Sequence, residues 1–480
     1  MADTKFLTAP IKTDRMPPGI PYIIGNEAAE RFCFYGLRAI LVVYMTQYLR
    51  NRAGALAPMN EDQANTWYHI FVASNYFFPM LGAIVADAFW GKYRTVFWIS
   101  LVYCAGCLAL AGDDTRIGLF IGLGLIALGS GGIKPCVSSN VGDQFGDANK
   151  HLVSRAFGWF YFAVNFGSFF SISLIPVLLE KPTSPIHWLP DALSLPVYHF
   201  LQQFASPRLA FGVPAALMFL ATIVFWSGRY KFVHIPPKGK SFLKATFNRE
   251  SFAAFGRLAI LFAFVAVFWS LWDQSGGEWV LQAQKMNLHF AGIDWLSSQI
   301  QALNAIMILA LIPTFQYVLY PLMNKVWMLT PLRKIGLGIF TIGVSFLISA
   351  WIESHIGAGE KLSIGWQLPA YLLLSAGEVM TSITALEFAY TQAPLHLKAV
   401  VQALYLWSIT AGNLFTALVH FFIQNADGTS KLPGAWFYLF FAGLAMGAAV
   451  VFSVVALRYK EVTYLQDEPV VPLTEAAAET

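Results

Sequence analysis

The chain alternates between hydrophobic runs of about 20 residues and short polar segments, and a run of that length can cross a bilayer as a helix. The runs are Pro21–Leu49, Asn65–Phe89, Thr95–Ala111, Gly118–Val137, Ala156–Leu179, Leu209–Ser227, Ala253–Gly276, Gln299–Tyr320, Gly336–Ile352, Trp366–Tyr390, Ala399–Gln424 and Ala435–Leu457. A polar segment, Gly228–Glu250, separates the first six runs from the last six. The pattern predicts an all-α integral membrane protein with about twelve transmembrane helices in two six-helix bundles.

The polar segments also predict the domain organisation. Residues 1–20 form an N-terminal segment, 21–227 the first bundle, 228–252 a linker, 253–458 the second bundle and 459–480 a C-terminal tail. The N-terminal segment contains no apolar stretch of the kind found in signal peptides, so we expect no cleaved leader.

The composition agrees with a membrane protein. Hydrophobic residues make up 57% of the chain and charged residues 12%, whereas soluble proteins average about 25% charged residues. The net charge of +4 is too small to indicate a nucleic-acid partner. We therefore expect the lipid bilayer to be the surroundings of this chain.

Lysine and arginine residues in the short loops predict the orientation, because such residues favour the cytoplasmic side. Three basic segments fall on one side if the runs alternate in direction: the linker, the turn Gly91–Arg94 and the turn Pro331–Lys334. We expect that side, and with it both termini, to be cytoplasmic.

The first hydrophobic run contains four charged residues, Glu27, Glu30, Arg31 and Arg38. Each costs a few kcal/mol at the bilayer centre unless it is paired or faces water. Glu27 and Arg31 are four residues apart, so they share a helix face and can pair, and Tyr35 extends that face. A single pair would favour a structural lock between helices. Four charges so close together favour a polar pathway that serves a function.

A second pattern lies between the second and third runs, in GAIVADAFWGKYR. Gly82 allows close contact between helices, Asp87 can meet a helix N-terminus, and Gly91 permits a turn before Lys92 and Arg94. The alternative is an ordinary basic loop that only sets topology. The segment resembles the loop motif between helices two and three of the major facilitator superfamily. That resemblance implies a carrier that works by alternating access, with its site between the two bundles.

Five further segments resemble signatures of the proton-dependent oligopeptide transporter family, which belongs to that superfamily. They are ERFCFYG with the preceding Glu27, GGIKPCVSSNVGDQF, FYFAVNFGSF, FWSLWDQSG and LEFAYTQAP. Tyr68–Asp87 and Asn304–Leu322 are similar to animal di/tripeptide transporters in particular, but the large extracellular domain of those proteins is absent. The resemblance implies proton-driven uptake of di- and tripeptides, and we expect a bacterial protein of the inner membrane with an animal-like core.

Two positions depart from the family pattern. Phe34 stands where the family has a tyrosine, so one hydroxyl is lost. Trp272 and Asp273 stand where the family has two adjacent acids, so only Asp273 is acidic. Both changes affect individual contacts rather than the class of protein.

The resemblance implies which residues bind the two ends of a peptide. Arg38 and Lys134 would hold the carboxylate, Arg38 with a planar fork of donors and Lys134 as a point charge. Glu378, beside Asn165 and Asn304, would hold the amine. The alternative for each asparagine is a hydrogen bond between helices.

The resemblance also implies residues that contact the middle of the peptide. The tyrosines of this set would bond the peptide backbone, and the tryptophans would line side-chain pockets. The set consists of Tyr35, Tyr76, Trp269, Ser382 and Trp407. Packing in the core is the alternative for Trp407.

Proton coupling requires a group whose charge state changes helix packing. Glu27 and Glu30 beside Arg31 are the first candidates, since protonation would release Arg31 and let the first helix shift. Asp273 with Lys134 is a second candidate, because the two would form a switch salt bridge between the bundles.

His69 is a further candidate for proton coupling. It lies seven residues before Tyr76, on the same helix face. Imidazole titrates near physiological pH, and animal members of the family have a proton-sensing histidine at this position. The alternative is a hydrogen-bonded histidine of the core.

Other function classes were weighed against the carrier. A membrane enzyme such as an acyl transferase would need a nucleophile with a base, or a set of metal ligands, and the sequence contains no convincing one. Within carriers, nitrate or another small solute is the alternative substrate, because plant relatives have that range, while Glu378 favours peptides. We expect a monomer that needs no cofactor and no metal, with peptides and protons as its partners.

Overall fold

The computed structural model describes residues 6–182, 191–237, 239, 249–391, 398–425 and 427–459. The first six long helices match the first six hydrophobic runs. They are α1 (Ile20–Gln47), α2 (Glu61–Val85), α3 (Lys92–Gly112), α4 (Arg116–Asp143), α5 (Val153–Leu179) and α6 (Pro207–Ser227). We call the end at which α1 begins the basal end and the opposite end the apical end.

The second six long helices match the remaining runs. They are α7 (Arg249–Trp272), α8 (Ala302–Thr314), α9 (Pro331–Gly357), α10 (Gln367–Glu378), α11 (Lys398–Ile423) and α12 (Ala435–Arg458). Several are extended through irregular turns: α7 through Asp273–Gly276 into Glu278–Gln284, α8 through Phe315–Leu319 into Tyr320–Val326, and α10 through Val379–Ile383 into Thr384–Thr391. The predicted all-α architecture is confirmed.

Side-chain caps fix the starts of several helices. Asn60 accepts a hydrogen bond from the backbone of Gln63 at the start of α2, over 2.8 Å. Ser206 caps α6 and Thr330 caps α9 in the same way. Asn, Ser and Thr are favoured there because their side-chain oxygens satisfy backbone N–H groups that have no helical partner.

Each group of six helices has its own hydrophobic core. One core is built mainly from α1 to α6 and the other mainly from α7 to α12. Glycines let helices approach closely, as where Gly82 of α2 lies against the backbone of Gly132 in α4. Small residues serve this purpose in membranes because tight packing replaces the hydrophobic driving force.

Ten of the long helices in the described part of the chain are apolar enough to cross a membrane. The two outside that set are α1 and α10. Helix α1 contains the four charges noted above, and α10 ends at Glu378, where a π-helical turn begins. Both exceptions therefore lie at predicted site residues. In α10 the break is a π-helical turn, which is frequent at functional sites.

Two segments contain short elements that the hydrophobic runs did not predict, and two more lie largely or partly outside the described residues. The proline-rich segment before α6 contains a short helix, Asp191–Phe204, and the loop after α7 contains a hairpin of two strands, His289–Phe290 and Ile293–Asp294. Most of the predicted C-terminal tail and part of the predicted linker are outside the described residues.

Hydrogen bonds between the two bundles concentrate in the apical half. Gln299 donates to the carbonyl oxygen of Ser173 over 2.9 Å, and Ser298 donates to Glu180 over 3.3 Å. Gln301 donates to the carbonyl oxygen of Ala39 over 3.2 Å. These bonds hold the bundles together at the apical end.

Candidate functional site

The charges of α1 form a compact cluster inside the first bundle. Arg31 Nε lies 2.7 Å from Glu27 Oε1 and 3.4 Å from Glu30 Oε2. The second oxygen of Glu30 accepts a hydrogen bond from Ser130 of α4 over 2.7 Å. Both glutamates are fully buried, whereas Arg31 is 17% exposed. The predicted pairing of Glu27 with Arg31 is confirmed, and the acids face neighbouring helices rather than lipid.

Lys134 of α4 lies beside this cluster without a hydrogen-bond partner for its Nζ atom. Nζ is 3.8 Å from the ring centre of Phe34 and 5.1 Å from that of Tyr76. The aromatic faces stabilise the ammonium group electrostatically. Phe34 offers this face without the hydroxyl that the family's tyrosine would add at the ring edge.

A second polar network joins the two bundles. Arg38 Nη2 lies 2.5 Å from Asp273 Oδ1, and Arg38 Nε donates to the hydroxyl of Tyr68 over 2.7 Å. Asn413 of α11 donates to the other oxygen of Asp273 over 2.5 Å. Arg38, Tyr68, Asp273 and Asn413 are all buried. This buried ion pair thus links α1 and α2 to α7 and α11.

The predicted switch salt bridge between Lys134 and Asp273 is not formed. Asp273 pairs with Arg38 instead, and both of its oxygens have hydrogen-bond partners. Lys134 lies over the ring of Phe34, and Arg38 lies one turn closer to the apical end of α1. Arg38 is therefore the cation that reaches Asp273. The same pairing also means that Arg38 is occupied by a carboxylate of the protein in this structure.

His69 extends the inter-bundle network. Its Nδ1 atom lies 2.7 Å from Asn413 Oδ1, and its ring is fully buried. The ring stacks on that of His420, with 6.1 Å between the ring centres. Its Nε2 atom has no hydrogen-bond partner. His69 is therefore a hydrogen-bonded core residue that is also in contact with the Asp273 network.

Glu378 lies at the centre of a cluster in the second bundle. Its Oε2 atom accepts hydrogen bonds from Asn304 over 2.9 Å and from the indole of Trp272 over 2.7 Å. Asn304 also donates to Ser375 over 3.0 Å. The predicted proximity of Asn304 to Glu378 is confirmed, and within the described residues this carboxylate forms no salt bridge.

The remaining predicted peptide contacts are distributed over both bundles. Asn165 donates to the carbonyl oxygen of Tyr161 on its own helix, so the structure does not join it to Glu378. Ser382 bonds the hydroxyl of Tyr405 over 2.8 Å. The ring of Tyr35 packs edge-on against that of Phe34, with 5.3 Å between the ring centres.

The two predicted tryptophans lie in aromatic groups. Trp269 packs edge-on against Trp272 at 5.3 Å, and Trp407 stacks on Phe77 of the first bundle at 5.9 Å. The indole nitrogens of both Trp269 and Trp407 have no hydrogen-bond partner. Both are buried donors that are unpaired within the described part of the chain.

The loop motif adopts the geometry that its residues favour. Gly91 has φ of +78°, which a side chain would strain, and Lys92 lies 2.6 Å from Asp143 of α4. Asp87 lies within a π-helical turn, Ala86–Trp90, and Arg94 is exposed. The expected turn and the close contact at Gly82 are confirmed.

The networks are completed by residues that no pattern in the sequence had singled out. Asn413, Tyr68 and Ser130 each bond a predicted charge, and Trp272 was noted only as a departure from the family. A buried amide in the apolar run of α11 was the available signal for Asn413. Ser130 and Tyr68 have no pattern of their own that would separate them from ordinary core residues.

Two six-helix bundles with buried charges along their interface define a multi-pass membrane transporter of the major facilitator fold. The model of the POT family matches residues 93–257 and 248–436. The chain therefore belongs to the POT family.

Individual relatives agree with this assignment. "Peptide transporter family 1" of Drosophila melanogaster is 35% identical over 377 residues, which cover 70% of this chain and 48% of the relative. "Solute carrier family 15 member 1" of Homo sapiens is 33% identical over 393 residues, which cover 71% of this chain and 52% of the relative. The chain thus spans about half the length of these relatives.

Solved structures match over nearly the full chain. The crystal structure of an auto-inhibited POT family peptide transporter has a TM-score of 0.80 and 35% identity, and the match covers 94% of this chain and 99% of the other. A crystal structure of the POT family transporter PepTSo has a TM-score of 0.78 and 34% identity, and the match covers 93% of this chain and 99% of the other.

Proposed function

We propose that the protein is a proton-coupled symporter that takes up di- and tripeptides by alternating access. The observation that carries the proposal is the pair of opposite charges without an ionic partner on the two bundles: the Lys134 ammonium and the Glu378 carboxylate. A zwitterionic peptide needs one cation for its carboxylate and one anion for its amine. The names of the relatives, which are peptide transporters, support the same substrate class.

The peptide would bind between the bundles. Lys134 holds the carboxylate as a point charge, and Glu378, oriented by Asn304 and Trp272, holds the amine. The hydroxyl of Tyr35, which lies one turn beyond Arg31 on α1, can bond the peptide backbone. Arg38 contributes to carboxylate binding only in a state in which it has left Asp273.

Proton coupling is assigned to the α1 cluster. Glu27 and Glu30 share Arg31, so protonation of either acid weakens that pair and changes how α1 packs. Ser130 connects Glu30 to α4, the helix that carries Lys134. A proton on Glu30 can therefore alter the position of a peptide ligand.

The proposal includes sidedness. The basic turns at Gly91–Arg94 and Pro331–Lys334 lie at the basal end, so the basal end and both termini are placed in the cytoplasm. For a bacterial protein the membrane is the inner membrane. The apical bonds between the bundles then close the outer side, so this conformation is not open to the outside.

The test is uptake of labelled dialanine into liposomes that contain the purified full chain, driven by an inward proton gradient. We expect accumulation that collapses with a protonophore, and competition by other dipeptides. In a matched measurement nitrate replaces the dipeptide as the competitor, and its own accumulation is followed. Accumulation of nitrate without accumulation of dialanine, or uptake of dialanine that ignores the gradient, would overturn the proposal.

A further inference from the structure

A cavity at the apical end lies apart from the peptide and proton sites. Its volume is about 560 Å³, and it is bounded by residues of α2, α9, the Glu278–Gln284 helix and the loop before α12. Its charged lining consists of Glu61, Asp62, Glu278, Glu353 and Lys285. Acidic side chains therefore outnumber basic ones on the wall of this cavity.

Lys285, the lysine in this lining, already forms salt bridges with two of the acids. Lys285 Nζ lies 3.0 Å from Glu61 and 3.8 Å from Glu353. Burial acts to lower the pKa of Lys285, but the nearby carboxylates of Glu61 and Glu353 raise it. Among the described residues, no lysine or arginine forms a salt bridge with Asp62 or Glu278.

His420 of α11 lies between these two acids. Its side chain is fully buried, with Nδ1 3.0 Å from Asp62 Oδ1 and Nε2 3.5 Å from Glu278 Oε1. Nε2 has no hydrogen-bond partner. Ligand atoms of Asp62, Glu278 and His420 all lie within 4.8 Å of one another. Asp62 therefore approaches one nitrogen of the ring and Glu278 the other, and the two carboxylates and the imidazole form a compact group of possible metal ligands.

We propose that Asp62, Glu278 and His420 form a Zn²⁺ site that bridges the two bundles at the apical end. One imidazole nitrogen and two carboxylate oxygens, with water in the fourth position, suit zinc, whereas Mg²⁺ and Ca²⁺ prefer oxygen ligands alone. Zinc ligands at about 2.0–2.1 Å in tetrahedral geometry lie about 3.4 Å apart. The 3.5 Å between His420 Nε2 and Glu278 Oε1 matches that spacing, whereas Asp62 contacts Nδ1 in this structure and would turn toward an ion bound at Nε2.

A neighbouring amide supports the site. Asn65 donates to Glu278 Oε1 over 2.6 Å and so fixes the orientation of this carboxylate. Hydrogen bonds of this kind orient metal ligands and raise their affinity for the ion. Sequence analysis predicts no metal site, because Asp62 and His420 are 358 residues apart and no local spacing reveals the set.

The site has a consequence for transport. Asp62 belongs to the first bundle, whereas Glu278 and His420 belong to the second. The ligands can converge only while the apical end is closed. An ion that binds one conformation shifts the equilibrium by its difference in affinity between the two, so Zn²⁺ would favour the apically closed state and slow uptake.

The binding test uses purified full chain titrated with Zn²⁺ in a calorimeter. We expect one site in the wild type, a loss of affinity of at least about tenfold in His420→Gln, and no change in His289→Gln. His289 is the matched control, because it also contacts an aspartate, Asp294, but is exposed. Wild-type affinity in His420→Gln, or equal competition by Mg²⁺, would overturn the site.

Two further measurements test the metal site if His420→Gln fails to fold. Asp62→Asn removes a ligand from the partly exposed side of the site and should weaken Zn²⁺ binding to a similar degree. Co²⁺ bound to the wild type should give the visible absorption of a tetrahedral ion, and this needs no variant. Absorption typical of octahedral Co²⁺ alone would contradict the predicted geometry.

The transport test rests on the proposed function, whereas the binding tests do not. Zn²⁺ on the apical side should slow dialanine uptake by the wild type and His289→Gln but not by His420→Gln. If binding is lost in His420→Gln while no variant transports peptide, the proposed function fails and the metal site stands. If His420→Gln changes only the pH dependence of uptake and binds Zn²⁺ normally, the residue titrates and the metal site is wrong.

Discussion

At the scale of single residues, the site is distinguished by groups that lack an ionic partner. Lys134 has two aromatic faces around its ammonium group but no hydrogen bond, and Glu378 has neutral donors only. Charges are rarely kept inside a membrane without a partner or a function. The ammonium group and the carboxylate, neither of which has a salt bridge among the described residues, are therefore where a ligand would gain most.

Lys134→Gln should weaken peptide binding without unfolding the protein. A hydrogen bond to a charged group contributes about 1.5–3 kcal/mol, so we expect KM for dialanine to rise at least about tenfold. The Tm should change little, because Nζ has no hydrogen bond to lose. Uptake kinetics and thermal unfolding provide the two measurements. Lys361→Gln, on an exposed loop, is the control, and an equal KM in both variants would contradict the role of Lys134.

Glu30→Gln should separate proton coupling from transport. The amide can still accept a hydrogen bond from Ser130, but it cannot bind and release a proton. We expect gradient-driven accumulation of dialanine to be lost while counterflow exchange continues. Glu360→Gln, which changes an exposed acid, should behave as the wild type in both assays. Concentrative uptake by Glu30→Gln would show that the proton binds elsewhere.

At the scale of helices, hydrophobic runs predicted the spans well because lipid leaves a buried helix few alternatives. All twelve runs contain long helices, whose ends differ from the predicted ends by a few residues. The short helix Asp191–Phe204 was missed because its 14 residues are too few to cross a bilayer, so a search for hydrophobic runs of about 20 residues passes over it. The hairpin of His289–Phe290 with Ile293–Asp294 is too short to be predicted from alternation.

Site contacts were predictable where spacing along one helix decides them. The pair of Glu27 with Arg31 follows from a separation of four residues. The pair of Arg38 with Asp273 joins residues 235 apart, and only the packing of α1 against α7 brings them together. The same holds for Asn413, whose two contacts come from α7 and α2.

Breaking the inter-bundle ion pair should destabilise the protein. Asp273→Asn leaves Arg38 buried without its anion, and loss of one partner from a buried pair costs about 3–5 kcal/mol. We expect a clear fall in Tm in detergent. The double variant with Arg38→Gln should lose less stability than the two single variants added together. Strict additivity of the three values would mean that the two groups do not interact energetically.

At the scale of the whole molecule, the bonds that join the bundles are concentrated at one end. Ser298, Gln299 and Gln301 at the start of α8 all bond the first bundle. Opening of the apical end must break these contacts together with the Arg38–Asp273 pair. The equilibrium between closed and open states is therefore sensitive to groups that titrate at this end.

Glu180, which follows α5 at the apical end, should make apical closure depend on pH. Burial raises its pKa from 4.5 to about 7, and the hydrogen bond from Ser298 opposes this only in part. The proton is held more tightly in the folded, closed state. The stability that it contributes is therefore complete below pH 4.5 and is lost as the pH rises through about 7.

Glu180→Gln cannot ionise and should not show this loss. We expect the Tm of the wild type to fall relative to the variant as the pH rises from 4.5 to about 7. Thermal unfolding of both proteins across this range is the measurement. A constant difference in Tm would mean that Glu180 does not titrate in the folded protein.

The stacking of His69 on His420 joins the apical cavity to the centre of the molecule. Asp62 in the cavity wall contacts His420, whose ring lies 6.1 Å from that of His69. His69 contacts Asn413, and Asn413 bonds Asp273, the partner of Arg38. A ligand that shifted His420 would therefore disturb a continuous row of buried side chains that ends on α1, without any peptide present.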